Sequence, residues 1–309
     1  MSTDKLISRE SSLYWMGIAT LTILLFHIGQ NESTHIVHKS IIFVFSKGSI
    51  GVNIFFFLSG YGLANSFDKN TLKVFYMNRF KRLYPMMFFF MIASYFIKGG
   101  FSSMFLWDIL KHATGISFWL KSVFPDWFVP CLSMIYILFP ILFYFSRWLF
   151  EKNLALILLM IVLPVLAIIP LKSFNYTLFF PRIPMVFLGI MTFLAEQKEN
   201  RNKLYVLLFY CALLSCTQLY KGAHLAVPAI MLFFSYYNVH PFFSFLSFLG
   251  KHSLEIYLAQ CLLVFNYDFS NKYFFNLFMV IVAIIVASIL LYYSHSIFWK
   301  LIPTRIINS

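Results

Sequence analysis

From Leu13 almost to the end of the chain, apolar stretches follow one another with only short polar connections between them. A helix that crosses a bilayer needs about 20 mostly apolar residues. On that measure the stretches are 13–30, 41–65, 83–98, 127–149, 153–171, 178–196, 203–220, 223–239, 244–266 and 273–300. The sixth and eighth are short and interrupted by Pro181, Pro184 and Pro228. The pattern predicts an all-α, polytopic transmembrane bundle of about ten spanning helices, forming a single integral-membrane domain over 1–309. Composition agrees: 61% of the residues are hydrophobic, 40 of them Phe, and only 11% are charged. A soluble domain carries about a quarter charged residues.

The segment 1–12 is polar and lacks a cleavable apolar core, so 13–30 reads as a retained helix rather than a signal peptide. Orientation follows from the cations. Lys5, Arg9, Lys69, Lys73, Arg79, Lys81, Arg82, Arg147, Lys152, Lys198, Arg201, Lys203, Lys251, Lys300 and Arg305 all fall on one side of the expected bundle. They are the majority of the 24 Lys and Arg, which makes that side cytoplasmic and puts both termini there, with 1–12 as a short cytoplasmic segment. The net charge of +13 is scattered between apolar runs and not gathered in a polar domain, which argues against nucleic acid as a partner. The segment 101–126 is too polar to span and is expected along the outer interface, with Trp107, Trp119 and Trp127 at headgroup depth.

Within so apolar a chain, polar residues stand out. Arg79 and Arg82 in RFKRLYP are three apart, so a helix projects both from one face, with Lys81 between them. Two guanidinium forks match a phosphate or pyrophosphate, and the same cluster also serves as a topology signal; residue type leaves both readings open. His27 closes the first apolar run, and an imidazole suits a general base. In GSIGVNIFFFLSGYGLANS, the glycines fit close helix packing, while Asn53 and Ser59 offer groups to a ligand. Arg182 and Glu255 are ionisable groups in or near apolar spans and are functional candidates on that ground. His35 and His38 form an HxxH pair with no carboxylate motif after it, so no metal site is expected. Cys131, Cys211, Cys216 and Cys261 all sit in apolar runs and read as small buried hydrophobes.

Six stretches in order resemble the acyltransferase-3 family of polytopic membrane acyltransferases: GIATLTILLFH, GVNIFFFLSGYGLANS, RFKRLYP, WFVPCLSMIYILFPIL, RIPMVFLGI and GKHSLEIYLAQ. The resemblance implies a multi-pass enzyme of a bacterial cytoplasmic membrane that esterifies surface glycans and related acceptors. It implies His27 as the catalytic residue and Arg79 and Arg82 on the acyl-coenzyme A donor, with Lys81 beside them. Three positions depart from the family pattern: Met16 where an arginine is usual, Leu132 where many members have glutamate, and Gln260 where histidine is common.

The activity so implied moves an acyl group, most simply acetyl, from cytoplasmic acyl-coenzyme A to a hydroxyl of a cell-surface or lipid-linked glycan. No metal takes part. Asn53, Ser59 and Arg182 are the candidates to bind substrate or the developing oxyanion, with Glu255 a further one. The expected spans put His27 near the outer edge and Arg82 near the inner one, across most of a ~30 Å layer. A single reaction then requires a passage between helices. The alternative is a transporter or flippase for a lipid-linked or polymeric glycan, which the same helices and intramembrane polar groups would serve.

Overall fold

The structure, a computed structural model, describes residues 5–30, 48, 50–97, 107, 110–111, 114–120, 127–152, 178–216, 226–236, 243–264, 283–294 and 296–297. The expected span 153–171, the start of 41–65, most of 101–126 and of 273–300, and the pair His35 and His38 lie outside the described residues.

Every regular element among the described residues is helical. These are α1 (Arg9–Gln30), α2 (Ile50–Lys69), α3 (Leu72–Ile97), the short α4 (Ile116–Trp119) and α5 (Phe128–Glu151). A 3-10 turn (Phe180–Arg182) then leads into α6 (Ile183–Gln197), followed by α7 (Arg201–Cys216), α8 (Val227–Tyr236), α9 (Phe243–Lys251), α10 (Ser253–Val264) and α11 (Ala283–Ser294). Of the described helices, α2 and α5 are long and apolar enough to cross a bilayer, and α6 and α11 are apolar but shorter.

Two boundaries differ from the sequence expectation for identifiable reasons. The third span was expected at 83–98, yet α3 begins at Leu72. The chain turns between α2 and α3 within Asn70 and Thr71: the Asn70 amide donates to Ser66 O at 2.7 Å, and Phe75 N donates to Thr71 O at 2.9 Å. A helix needs no apolar side chains to propagate, so the cationic stretch 73–82 simply forms its first three turns. Pro85 lies inside the helix and does not end it. The ninth span, expected as one helix over 244–266, is broken at His252 into α9 and α10.

The chain forms two compact units, each built from interleaved segments. Unit 1 takes in Met1–Ile23, Lys47–Phe75 and Met134–Lys251. Its α1 is capped by Ser8, whose hydroxyl accepts from Ser11 N at 3.0 Å. Small residues set its tightest seams. Gly17 of α1 lies on the Leu246 carbonyl of α9, and Gly250 of α9 lies on the Leu13 carbonyl of α1. Gly60 of α2 lies on the Val186 carbonyl of α6, and Gly189 of α6 lies on the Phe57 carbonyl of α2. Such backbone-to-backbone approach is available only where no Cβ intervenes, the packing by which helices associate when both sides are apolar.

Beside these seams, Phe67, Phe75, Phe139 and Phe143 form an aromatic cluster with centroids 5.2–6.1 Å apart. The helix ends nearby are tied by polar contacts. Glu196 accepts from Leu6 N and from Tyr61 OH, each at 2.9 Å, so that Ile7 is seated at 3% exposure. Gln197 donates to Asp68 at 3.0 Å, Arg147 pairs with Glu151 at 3.2 Å, and Lys203 donates to Phe150 O at 3.0 Å. Polar contacts thus tie the N-terminal segment and α2 to α6, and α5 to α7.

Unit 2 takes in Leu24–Ser46, Tyr76–Ser133 and His252–Ser309. It holds the last turns of α1, most of α3, α4, the start of α5, α10 and α11. Gly115 precedes α4 at a φ of 76°, a left-handed conformation that suits glycine, and the Pro130 ring closes on it. The Phe128 ring meets Tyr257 of α10 at 5.2 Å, and His252 meets Tyr292 of α11 at 5.0 Å.

Candidate active site

Five of the sequence-derived candidates fall in unit 2. His27 sits in the last turn of α1, about 27 Å along the helix from Arg9. Its ring is 8% exposed and lies 5.6 Å from the Phe26 ring, so the one imidazole of this helix is held within the protein rather than presented at its surface.

α3 carries the cations. The buried stripe of this helix runs through Phe75, Leu83, Met86 and Phe90, all at 2% exposure or less. Arg79 stands on that stripe, four residues from both Phe75 and Leu83; it is half-buried, with Nε fully enclosed. Arg82 lies within about 60° of Arg79 around the axis and is exposed, and Lys81 is half-buried. The two arginines share a side of the helix, one stem enclosed and the other open. Because α3 begins at Leu72, they lie about 10–15 Å into the helix and not at its mouth.

α10 supplies the remaining groups of unit 2. Glu255 is half-buried in its first turn. Tyr257 and Gln260 are three apart, at 6% and 1% exposure, on the side that meets Phe128. The Gln260 carbonyl has no hydrogen-bond partner among the described residues. Cys131, Cys211 and Cys261 are fully buried, as their apolar surroundings in the sequence led one to expect.

Asn53, Ser59 and Arg182 fall in unit 1. Asn53, one turn into α2, is 1% exposed, and neither end of its amide has a hydrogen-bond partner among the described residues. Arg182 ends the 3-10 turn and caps α6; Pro184 follows at a position where the missing N–H is harmless to a starting helix. Its stem is half-buried, with Nε enclosed. Ser59 is half-buried about 9 Å further along α2 than Asn53 and a third of a turn away, so those two do not share a face.

Asn53 and Arg182 do share one. α2 and α6 run parallel, as shown by the bond between Asp68 and Gln197, which are 129 residues apart. Gly60 and Gly189, where the backbones touch, have that same separation, and so do Asn53 and Arg182. Each polar residue stands seven positions before its glycine, two turns down the facing stripe. Sequence spacing alone could not reveal this pairing, because the register comes from a contact between distant segments. Tyr257 was likewise missed, although its place three residues before Gln260 was a usable signal.

Two of the three departures from the expected family pattern are buried. Leu132 is 6% exposed and Gln260 1%, while Met16 is half-buried and its carbonyl accepts from the Thr20 hydroxyl at 2.8 Å. Among known proteins, the chain is similar to the acyltransferase MdmB of Streptomyces mycarofaciens, at 26% identity over 151 residues. That match covers 42% of this chain and 38% of the length of MdmB. No solved structure matches the chain. The family described as Acyltransferase domain, Acyl_transf_3, matches residues 15–296, a stretch that takes in α1 from Trp15, both arginines of α3, Asn53, Arg182 and all of α10. With nearly its whole length so matched, the chain belongs to the acyltransferase-3 family.

Proposed function

We propose that this protein is a membrane-embedded O-acyltransferase that moves an acyl group, most simply acetyl, from cytoplasmic acyl-coenzyme A to a hydroxyl of a cell-surface or lipid-linked glycan. The observation that carries this reading, beside the family itself, is that nearly buried His27 and the Arg79–Arg82 face belong to the same compact unit. Embedding in a bilayer is supported by large apolar side chains on the surface, among them Ile141 at 69%, Phe209 at 66% and Leu290 at 62% exposure. A water-soluble surface does not commonly leave so many large apolar side chains this exposed. About ten spans with both termini cytoplasmic remain the arrangement that the cation count favours.

A sugar hydroxyl is too weakly acidic to ionise before it attacks, so its proton must leave as the new bond forms. His27 takes that proton, and the acceptor oxygen adds to the thioester carbonyl. Donors then hold the tetrahedral oxyanion; by residue type alone Asn53, Ser59 and Arg182 are the candidates. As the carbon–sulfur bond breaks, the imidazolium returns its proton to the departing thiolate, leaving ester and free coenzyme A. Arg79, Lys81 and Arg82 meet the phosphates of the donor, the exposed Arg82 first and the partly enclosed Arg79 as the anchored fork. Glu255 supplies a carboxylate to the same unit, where it balances cationic charge.

Replacing His27 with Ala tests the assignment. Transfer of labelled acetyl from acetyl-coenzyme A to the glycan should fall at least 100-fold (a general base contributes about 10²–10⁴), while coenzyme A still binds. A variant that acylates at the normal rate removes His27 from the chemistry. Met16 and Leu132, where charged residues are usual, leave room for the transporter or flippase reading. Movement of glycan across the membrane without incorporation of label in the unaltered protein would favour it.

A further inference from the structure

A buried amide with both ends unmatched is rare. Buried polar groups almost always find partners, and those that do not mark places where something else supplies the hydrogen bonds. Asn53 is such a residue: 1% exposed, with neither Nδ2 nor Oδ1 bonded among the described residues. It stands on the stripe of α2 that faces α6, level with Arg182. The two helices touch at Gly60 and Gly189, two turns from Asn53 and Arg182. Helices whose axes are about 8 Å apart at contact and cross at about 20–50° are about 1–4 Å further apart two turns beyond it.

The geometry points to a ligand site at the N-terminal end of the α2–α6 seam, in which Asn53 and Arg182 receive a neutral group that both donates and accepts a hydrogen bond. The Asn53 carbonyl needs a donor and its NH2 needs an acceptor, so one anionic oxygen cannot satisfy it. Arg182 contributes donors only, on the acceptor side of the same ligand group. Two sources carry that chemistry: hydroxyls of a sugar, and the secondary amides in the arm of a coenzyme A thioester. The inference rests on the acyl-transfer reading and assigns one part of its substrate recognition to unit 1.

The experiment uses the full chain in detergent and in native membranes, with Asn53→Leu as the main variant and Arg182→Met as the second. Leu keeps the branched shape and heavy-atom number of Asn and removes both unmatched atoms. Its thermal midpoint should therefore equal or exceed that of the unaltered protein, while function falls. Calorimetry with coenzyme A reads one source, and transfer of labelled acetyl to the membrane glycan reads the other. A tenfold or larger loss of coenzyme A affinity in both variants assigns the site to the amide arm. A tenfold or larger loss of transfer with coenzyme A affinity unchanged assigns it to the acceptor hydroxyls. If both readouts stay within twofold, the amide holds at most a water and the site is overturned. If the midpoint of Asn53→Leu falls together with both readouts, the amide is structural and the site is equally overturned. An unaltered protein that neither binds coenzyme A nor transfers label rejects the acyl-transfer reading itself, a result distinct from either.

Discussion

At the C-terminal end of the α2–α6 seam, Tyr61 and Leu6 N both donate to Glu196, and Gln197 donates to Asp68. On the opposite side of Gly60, two turns away along α2, Asn53 is buried with no hydrogen bond to either end of its amide among the described residues. One end is bonded through; the other is buried and left open. An unmatched buried polar group lowers stability, commonly by about 1–3 kcal/mol. On the proposal made above, the fold is held at one end and used at the other.

The comparison is broken most severely at the seam itself. A Cβ on Gly60 would occupy the position of the Val186 carbonyl, so Gly60→Ala must push the helices apart. Overpacking of this kind costs about 1–3 kcal/mol, and this substitution belongs at the upper limit because the obstacle is backbone. Thermal unfolding in detergent should show the loss, together with a fall in transfer as the Asn53–Arg182 register is lost. An unchanged midpoint would mean the helices are not in contact there.

Glu196→Ala tests the bonded end alone. It strands Leu6 N and leaves the Tyr61 hydroxyl only its 3.3 Å bond to Ile7 O, for a loss of about 2 kcal/mol, and should make the backbone near Leu6 open to protease. Coenzyme A binding should change little. If the Leu6 region stays protected, the tie to Glu196 is not what holds it. Gln197→Ala is the mildest probe, since its bond to Asp68 is exposed; a change within about 0.5 kcal/mol is expected, as for surface substitutions generally. A larger effect would show that the saturated end depends on that contact more than its exposure suggests.

Much of this arrangement could be read from the sequence, and the parts that could not have physical reasons. His27, Arg79, Arg82 and Arg182 were visible because imidazole and guanidinium groups are conspicuous among apolar neighbours. The glycines of α2 were visible as packing residues, and Gly60 is one. Hydropathy finds where a chain is continuously apolar, however, and α3 begins where it is not: Leu72, Val74 and Phe75 are interspersed with Lys73, Arg79, Lys81 and Arg82, whose charges hide the helix start from an average. The break at His252 lies between two apolar runs and leaves little trace in their average. The level of Asn53 with Arg182 depends on two glycines 129 residues apart meeting in space, which no local pattern contains.

The hydrogen bond from Leu6 to Glu196 joins residues 190 positions apart. A ribosome adding about 5–20 residues each second reaches that carboxylate about 10–40 s after Leu6 has been made. Throughout that interval the lead into the first helix has no acceptor to close upon. The opening stretch of the protein is therefore translated early and fastened late, and a chain truncated before α6 ends would leave it loose.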